Sequence, residues 1–546
     1  MNTIHLKYYY AIPPPACKQL IHRAVSFLVK PITCQPAFFV LLFVLLGALD
    51  IYSLLVLHSF LPVFKASVAF LSCYILALPV VFLTARSRIF YKIVLLVFAG
   101  FFFLVDVYLL LLYKETFGTI TQDAIAAILA TNPEEAAEYI STYFTIDKVL
   151  IISAILSVVF TLFKYLRKLR FRWNDVARCV VLILLLFSAS KSIRQIEKVK
   201  DFNLYYLITK ECPDLREYKQ NPDVACINSH VKNIVLIVGE SFTKFQSSLY
   251  GYEKETNPCL EKLRQDNALF VYENITSACL TTIPAMKSIM MSYIDSMCDS
   301  IEWHRCLTLI EVMQKTGFKT YWLSNQSKTG IYDNEVGRFA DLCDEQFFVG
   351  DIHSGLSRNN KDEELLPLLE ECLSDIAQSK FIVVQMMGSH SAFNMRYPES
   401  FEVFDNEDYN ITHSALSNEY KQLLAEYDNS ILYNDYVVNE LLQRFVNEDA
   451  IVFYFSDHGI DAFKSSNNYI GHANPNDTIS IKVSKKIPFM VYSSQLFREK
   501  RPELQKRIEN SVSRLYRTDS IMYTIMDVAG VETVNGISYK HKSLFK

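Results

Sequence analysis

The sequence has little excess charge of either sign. Its 54 basic and 58 acidic residues leave a formal net charge of −4, so no overall basic bias points to a nucleic-acid partner. Cys-x-x-Cys pairs are missing, which argues against a structural zinc site of the usual spacing. Internal repeats and low-complexity tracts are missing too. What remains is a chain of 546 residues, long enough for two or three domains of ordinary size.

Long apolar runs are missing from most of the chain but crowd residues 1–194. Four of them reach the roughly 20 helical residues that cross a bilayer: Ala37–Leu57, Ala66–Ala85, Ile93–Tyr113 and Val149–Leu166. A fifth run, Cys179–Ile193, is shorter and follows a basic flank. We therefore expect an α-helical membrane domain of five transmembrane helices. A signal peptide is not expected, because the first run starts late and others follow it.

Basic residues mark alternate loops between these runs. They precede the first run, separate the second from the third and separate the fourth from the fifth: Lys7, Lys18, Arg23, Lys30, Arg86, Arg88, Lys92, Lys164, Arg167, Lys168, Arg170, Arg172 and Arg178. Because cytoplasmic loops carry the excess of Lys and Arg, we expect the N-terminus in the cytoplasm. Five spans then place everything after the fifth span outside the cytoplasm.

Two further segments belong to the membrane surface. Loop 114–148, between the third and fourth spans, has apolar residues at helical spacing and predicts two short helices on the outer surface, with a plain connector as the alternative. Residues 195–230 mix tyrosines with charges, which is typical of a linker in the headgroup region. Residues 231–546 then form the exported domain. Asp106 lies inside the third span, where a carboxylate is costly and often functional, although a helix-packing partner explains it equally well.

Eight of the twelve cysteines follow the apolar part of the chain: Cys212, Cys226, Cys259, Cys279, Cys298, Cys306, Cys343 and Cys372. An even number of cysteines in an oxidising compartment predicts disulfides. Cys298 and Cys306 are close enough in sequence to close a small loop, and so are Cys212 and Cys226. Free buried thiols are the alternative.

The exported part alternates apolar, β-branched runs with helical patterns. The expected strands are Asn233–Val238, Lys319–Leu323, Phe381–Met386, Ala450–Phe455 and Ile487–Tyr492. The helices expected between them include Leu307–Thr316, Glu363–Gln378 and Asn429–Asn447. Continuous apolar strands separated by helices predict an α/β domain with a mainly parallel sheet and helices on both faces.

Metal-ligating side chains follow two of the expected strands. Glu240 comes directly after the first strand, and Asp457 and His458 come after the fourth. The carboxyl ends of parallel strands share one edge of a sheet, and a carboxylate at the end of a buried strand needs a partner. Two oxygen ligands and one imidazole suit zinc. Ser456–Gly459 taken alone also fits an ordinary loop.

Two more histidines and a pair of threonines have similar positions. His390 and His472 lie in small-residue loops after strands, which favours a second metal or a substrate phosphate, although surface roles fit either one singly. Thr281 and Thr282 precede a helix expected near Pro284. A zinc-bound threonine hydroxyl is an activated nucleophile, and helix N-terminal N–H groups bind phosphate. Plain helix capping fits the same pattern.

At this point the chain resembles the phosphoethanolamine transferases of Gram-negative envelopes, a group that includes the lipid A modifying and colistin-resistance enzymes. They belong to the alkaline phosphatase and sulfatase superfamily. The resemblance covers the whole chain and rests on motifs that occur in order: Thr131–Ala136, Val235–Ser241, Leu249–Pro258, Tyr321–Gln326, Met387–Ser391 with Arg396–Pro398, and Phe455–Gly459.

The resemblance implies an enzyme whose catalytic zinc is held by Glu240, Asp457, His458 and a threonine. That threonine would take phosphoethanolamine from phosphatidylethanolamine and pass it to an envelope acceptor such as lipid A or the lipopolysaccharide core. His390 and His472 would bind the phosphoryl group or a second zinc. The resemblance also implies a bacterial inner-membrane protein with a periplasmic catalytic domain, and we expect a monomer.

The nucleophile region departs from the best-known family members, which have a Cys-Gly-Thr-rich run there. The apolar positions downstream favour Thr282 as the nucleophile, with Thr281 as the alternative. Many members also have a glutamate where Ile460 stands, so the second metal site is less firmly implied than the first.

Three other functions share parts of this pattern. A sulfatase needs Cys or Ser two residues before the proline, where Thr282 stands, and Arg two residues after it, where Met286 stands. A phosphoglycerol transferase of the lipoteichoic-acid type shares the five spans and the threonine. A non-catalytic envelope protein with a degenerate domain is the third. The acceptor is not identified by the sequence.

Overall fold

The computed structural model describes residues 214–227, 231–291, 303–326, 335–349, 360–467, 469–473 and 477–546. Five other residues are described singly: Leu150, Ser153, Ser157, Thr161 and Lys328. The chain divides into two compact units, Met1–Gln122 with Tyr143–Leu204 and Asp123–Thr142 with Tyr205–Lys546. The architecture below is that of the second unit.

The five expected membrane spans lie outside the described residues, apart from four residues of the fourth. Those four, Leu150, Ser153, Ser157 and Thr161, are helical. Within the described part of the chain, no helix is both long and apolar enough to cross a membrane. The outer loop 114–148 and Asp106 are likewise outside the described residues, so the expectations about them stay predictions.

The described strands are β1 (Val224–Cys226), β2 (Asn233–Gly239), β3 (Leu269–Val271), β4 (Ile275–Thr276), β5 (Lys319–Ser324), β6 (Glu345–Phe348), β7 (Lys380–Gln385), β8 (Ala450–Ser456), β9 (Asp461–Ala462), β10 (Ile470–Gly471), β11 (Phe489–Ser493), β12 (Tyr516–Arg517) and β13 (Val531–Val534). The described helices are α1 (Pro258–Gln265), α2 (Thr282–Met290), α3 (Leu309–Lys315), α4 (Gly337–Ala340), α5 (Leu365–Ser374), α6 (Asn418–Gln443), α7 (Thr478–Ser484), α8 (Gln495–Lys500), α9 (Pro502–Ser511) and α10 (Ile521–Val528).

The central sheet has seven strands in the order β3-β11-β8-β2-β7-β5-β6. Strands β8, β2, β7, β5 and β6 are parallel to their neighbours in this run, so the expected α/β fold is confirmed. The strand of the last expected run, β11, pairs antiparallel with both β8 and β3, so the sheet is mainly but not wholly parallel. In the described residues between β8 and β11, the chain forms the short elements β9, β10 and α7. The antiparallel pairing of β11 with β8 means that β11 enters the sheet from the carboxyl edge of β8.

Successive residues of the central strand β2 supply two separate cores. Ile234, Leu236 and Val238 pack into a core that also contains side chains of α2, α3 and α10. Val235 and Ile237 pack into a second core with side chains of α1, α5 and α6. Every residue of β2 is buried, which explains why its sequence is a continuous apolar run rather than an alternating one.

The long helix α6 begins earlier than its sequence pattern indicated. The expected helix was Asn429–Asn447, whereas α6 covers Asn418–Gln443. Its first turn is capped by Ser417, whose side chain accepts a hydrogen bond from the Tyr420 backbone N–H. Polar residues such as Asp428 and Asn434 are buried along α6, and this hid the helical period in the sequence.

Most cysteines of the described residues are not in disulfides. Cys226, Cys259, Cys279, Cys343 and Cys372 carry free thiols, so the structure does not contain the pairing of Cys226 with Cys212. Cys298 lies outside the described residues, and its pairing with Cys306 stays a prediction. Burial raises the pKa of the Cys372 thiol to about 12, as expected for an inert core thiol.

Candidate metal centre

Four neighbouring parallel strands end at the candidate site. In the order of the sheet, β8 leads to Asp457 and His458, β2 leads to Glu240, β7 leads to the loop with His390, and β5 leads to Gln326. The carboxyl edge of the sheet thus brings together residues that are far apart in sequence.

Glu240, Asp457 and His458 form a tight cluster. Their potential ligand atoms all lie within 4.8 Å of one another. His458 Nε2 is 3.2 Å from Glu240 Oε1 and 3.6 Å from Asp457 Oδ2. His458 Nδ1 lies 3.1 Å from the Gly459 carbonyl oxygen, which favours a proton on Nδ1 and, in the neutral ring, directs the Nε2 lone pair toward the carboxylates.

The loop after β2 is held in a sparsely populated backbone conformation. Ser241 has a φ of 59°, a left-handed value that is unusual for a residue other than glycine. The Tyr427 hydroxyl on α6 donates to the Ser241 carbonyl oxygen at 2.8 Å and accepts from the Thr243 N–H at 3.0 Å. The Ser241 hydroxyl donates to Glu240 Oε1 at 2.7 Å. These contacts fix the direction of the Glu240 side chain.

The three clustered groups shift one another's pKa. Burial alone would lower the pKa of His458, but the carboxylates of Asp457 and Glu240 outweigh burial and raise it to about 9. Burial would raise the pKa of Glu240, yet the neighbouring His458 lowers it. Burial, followed by the Glu240 carboxylate, raises the pKa of Asp457 to about 8. Two carboxyl groups this close to each other favour a shared positive charge, which is a proton on Asp457 or His458 or, in its place, a bound metal ion.

The donor set fits a metal ion. Asp457 Oδ2 has no hydrogen-bond partner although the residue is only 1% exposed, and an unpaired carboxylate oxygen in the interior is costly. An ion bound by Asp457 Oδ2, Glu240 and His458 Nε2 would supply the partner that this Asp457 oxygen lacks. Two oxygens and one imidazole nitrogen are ligands that zinc accepts, with further positions left for other groups.

Thr282 lies against this cluster at the start of α2. Its hydroxyl donates to Glu240 Oε2 at 2.9 Å and lies 3.5 Å from His458 Nε2. Thr281 is the N-cap residue of α2, but its side chain makes no capping hydrogen bond. The structure therefore places Thr282, rather than Thr281, beside the candidate ligands, and plain capping does not account for either threonine.

The two further histidines also lie at this edge. The rings of His458 and His472 have centroids 4.9 Å apart, and the Tyr469 hydroxyl donates to the His472 carbonyl oxygen. His472 is an exposed residue at this edge of the sheet. His390 Nδ1 lies 3.5 Å from the Ser391 hydroxyl. Hence the structure brings all the predicted site residues to one region.

Two residues of the site were missed by sequence reasoning. Gln326 ends the Tyr321–Gln326 motif, and its side chain donates to Glu240 Oε2 at 3.2 Å. Asp362 is buried and ties two strand ends together, since it accepts hydrogen bonds from Asn325 Nδ2 and from the Met387 and Gly388 N–H groups, each at 2.8 Å. The motif could have indicated Gln326. Nothing in the local sequence distinguishes Asp362 from the acidic residues that follow it.

The Leu249–Pro258 motif has a scaffold role in the structure. The hydroxyl of Tyr252 donates to Asp428 Oδ2 at 2.6 Å, and Thr256 Oγ1 donates to the Gln246 carbonyl oxygen at 2.7 Å. Asn257 Oδ1 accepts from the Ser247 hydroxyl at 2.6 Å. The motif therefore closes the loop that follows Ser241 and fastens it to α6.

A mostly parallel sheet with a carboxylate and imidazole cluster at its carboxyl edge defines an α/β domain of the alkaline-phosphatase type. The Sulfatase family model matches residues 232–531. The chain belongs to the sulfatase family.

Relatives with curated names point to one branch of that family. Phosphoethanolamine transferase EptC of Escherichia coli K12 is 27% identical over 444 residues, which cover 75% of each chain. Phosphoethanolamine transferase EptA of Helicobacter pylori is 28% identical over 277 residues, which cover 50% of each chain. The resemblance inferred from the motifs is confirmed.

Solved structures agree on the fold. The zinc complex of the C-terminal periplasmic domain of Escherichia coli EptC matches with a TM-score of 0.52 and 27% identity, over 60% of this chain and 88% of that domain. The integral membrane phosphoethanolamine transferase EptA of Neisseria meningitidis matches with a TM-score of 0.60 and 19% identity, over 92% of this chain and 98% of that one.

Proposed function

We propose that this chain is a zinc-dependent phosphoethanolamine transferase acting on a cell-envelope acceptor. The observation that carries the proposal is the contact between Thr282 Oγ1 and Glu240 Oε2 at 2.9 Å, made beside a buried cluster that fits a metal ion. A hydroxyl beside metal ligands is the arrangement expected of an activated nucleophile. The curated names of the relatives supply the transferred group.

The reaction has two transfers of one phosphoryl group. In the first, Thr282 Oγ1 bonds to the phosphorus of phosphatidylethanolamine, the bond from phosphorus to the glycerol oxygen breaks, and diacylglycerol leaves with a proton. In the second, an acceptor oxygen bonds to phosphorus, and the threonine oxygen leaves and regains a proton. Bound zinc would lower the pKa of the threonine hydroxyl and offset charge on the phosphoryl oxygens.

The chain's own residues orient both steps. Glu240 Oε2 accepts the Thr282 hydroxyl hydrogen bond and so fixes the direction of the attacking oxygen. Thr282 is the first residue of α2, whose free N–H groups favour an anionic phosphoryl group. His390 and His472 would bind the phosphoryl oxygens or a second zinc ion.

The cellular setting follows from the apolar part of the sequence. Five spans with a cytoplasmic N-terminus would anchor a monomer in the bacterial inner membrane, with residues 231–546 in the periplasm. The donor lipid is then available at the outer surface of that membrane. Lipid A or the lipopolysaccharide core is the proposed acceptor, in keeping with the family resemblance, and resistance to cationic antimicrobial peptides would be the consequence.

The competing functions have weaker support. Sulfate ester hydrolysis by the family's usual mechanism lacks its Cys or Ser, since Thr282 occupies that position. A phosphoglycerol transferase shares the threonine, but the curated relatives quoted above carry phosphoethanolamine transferase names. A degenerate, non-catalytic domain would have no reason to keep Glu240, Asp457 and His458 in a ligand-like cluster.

Metal analysis and lipid analysis test the proposal together. Purified full-length protein should contain at least about one zinc per chain, whereas a clearly smaller amount would contradict zinc dependence. Mass spectrometry of envelope lipids from cells with and without the protein should reveal a species that gains phosphoethanolamine. A gain of phosphoglycerol instead would favour the alternative transferase.

A further inference from the structure

Glu240 is held by more than its metal-binding neighbours. Its two oxygens have different partners in the described structure. Oε1 accepts from the Ser241 hydroxyl at 2.7 Å and lies 3.2 Å from His458 Nε2. Oε2 accepts from the Thr282 hydroxyl at 2.9 Å and from Gln326 Nε2 at 3.2 Å.

The Gln326 amide is itself fixed in one orientation. Its nitrogen faces two acceptors, Glu240 Oε2 and the Met386 carbonyl oxygen at 3.0 Å. Its oxygen accepts from Gln385 Nε2 at 2.8 Å. An amide turned by 180° would place its oxygen against two acceptors and its nitrogen against a donor, so only this orientation satisfies all three contacts.

The hydrogen bonds that hold Gln326 continue into the sheet through Gln385. Gln385 is the last residue of β7 and is 3% exposed. Its oxygen accepts from the hydroxyl of Ser324, a fully buried residue at the end of β5, at 3.2 Å. The chain of hydrogen bonds Ser324–Gln385–Gln326–Glu240 therefore runs from two rigid strand ends to the candidate metal ligand.

This chain matters most when Thr282 gives up its proton. At that point Glu240 Oε2 loses the hydroxyl donor. Without Gln326, the carboxylate would then be held only through Oε1 and would be free to rotate. A glutamine amide does not titrate, so Gln326 remains a donor to Oε2 at every stage of the reaction and at every working pH. A hydrogen bond from a neighbouring residue to a metal ligand orients that ligand and tunes the affinity of the site for the metal.

We propose that Gln326, supported by Gln385, is a positioning residue that holds the Glu240 carboxylate in its metal-binding and nucleophile-orienting direction. The proposal rests on the function proposed above, because it gives Glu240 and Thr282 their roles. It assigns a task to the Tyr321–Gln326 motif, which the mechanism otherwise leaves unused.

The test compares purified full-length variants in detergent by two measurements. Zinc affinity is measured by competition with a chromophoric chelator, using zinc alone as the probe. Turnover is measured at saturating zinc as diacylglycerol release from phosphatidylethanolamine. Gln326→Met keeps the length of the side chain and removes all three amide contacts. Gln385→Met leaves Gln326 in place and removes its support.

A matched control comes from the far side of the sheet. Gln505 is 7% exposed, and its amide accepts from the Ser493 hydroxyl and donates to Glu509, both at 2.9 Å. Gln505→Met therefore removes a comparable buried amide with no connection to the metal cluster. Its melting temperature should fall as in the site variants, with zinc affinity and turnover unchanged.

Gln326→Met is expected to raise the zinc Kd and lower kcat, each by about 10–100-fold, with little change in KM for the lipid. Gln385→Met should also raise the zinc Kd and lower kcat, by smaller factors. If Gln326→Met does not fold, Gln385→Met is the variant compared with the unmodified protein. An unchanged zinc Kd, or a change in KM alone, overturns the positioning role. Absent zinc binding or turnover in the unmodified protein would instead overturn the proposed function itself.

Discussion

Gly388 and Glu240 are in direct backbone contact across two neighbouring strand ends. A Cβ atom at Gly388 would lie 2.7 Å from the Glu240 backbone nitrogen and 2.9 Å from its carbonyl oxygen. Gly388 also has a φ of +53°, and the Ser389 N–H donates to the Glu240 carbonyl oxygen at 3.0 Å. The loop that carries His390 therefore fits against the Glu240 backbone because residue 388 has no side chain.

Gly388→Ala should consequently displace Glu240 and weaken zinc binding. The clash is with backbone atoms, which cannot move aside as a flexible side chain could. We expect a zinc Kd at least about tenfold higher, measured by chelator competition. Gly317→Ala is the matched control, because Gly317 also has a positive φ, +87°, with nothing within 4 Å of its added Cβ. It should cost about 1 kcal/mol of stability and leave zinc binding intact.

Thr282→Ala should abolish transfer while leaving zinc bound. The nucleophilic oxygen is removed, but Glu240, Asp457 and His458 remain as ligands, and water can take the vacant position. Diacylglycerol release and zinc content are the measurements. Thr281→Ala is the control and should retain activity, since the side chain of Thr281 makes no cap hydrogen bond in α2. Activity in Thr282→Ala combined with its loss in Thr281→Ala would mean that the neighbouring threonine is the nucleophile.

The nucleophile shows what the sequence could and could not establish. Downstream apolar residues favoured Thr282, and Met286, Ile289 and Met290 are indeed buried on α2. The structural support for proposing Thr282 is its contact with Glu240, whereas Thr281 is the extended N-cap residue before the helix. Sequence pattern alone cannot decide which of two adjacent threonine hydroxyls faces the site.

Local patterns predicted the strands that carry the ligands but not the contacts between them. The strands β2, β5, β7 and β8 are mostly apolar in sequence, and each was expected within about one residue of its bounds. The sequence pattern did not specify the antiparallel direction of β11, since strand direction depends on the path of the connection rather than on the strand's own residues. Asp362 and Gln385 were missed because their partners are distant in sequence.

Asp428 should make stability depend on pH. Burial raises its pKa from 3.8 to about 7, although Tyr252 and Tyr409 both donate to it and Lys254 and Lys464 lie near it. Because the folded state binds this proton more tightly, the stabilisation is complete below the unfolded pKa of 3.8. It is lost as the pH rises through about 7, by up to about 4 kcal/mol.

Asp428→Asn removes this titration and provides the comparison. The amide oxygen can still accept both tyrosine hydroxyls, so the variant resembles the protonated residue. Melting temperatures measured from pH 4 to pH 8 should show the variant gaining on the unmodified protein as the pH rises. A difference between the two proteins that is independent of pH would contradict the raised pKa.

Asp435 should stabilise the fold without affecting the metal. From α6 it accepts hydrogen bonds from the Cys259 and Leu260 N–H groups at 2.8 and 3.0 Å, and so caps α1 in place of Asn257, whose side chain makes no cap bond. Asp435→Ala should lower stability by about 1–3 kcal/mol, measured by thermal or denaturant unfolding. Asp435→Asn, which keeps one acceptor, should lose less. Zinc content should be unchanged in both, and zinc loss would mean that α1 and the metal cluster are coupled.

The most direct measurement is the site of the covalent intermediate. Full-length protein incubated with phosphatidylethanolamine in the absence of acceptor should accumulate phosphoethanolamine on Thr282, identified by proteolysis and mass spectrometry of the peptide that begins α2. Treatment with a chelator beforehand should prevent the modification. Steady turnover of the lipid with no modified threonine, or with the modification on another residue, would contradict the account.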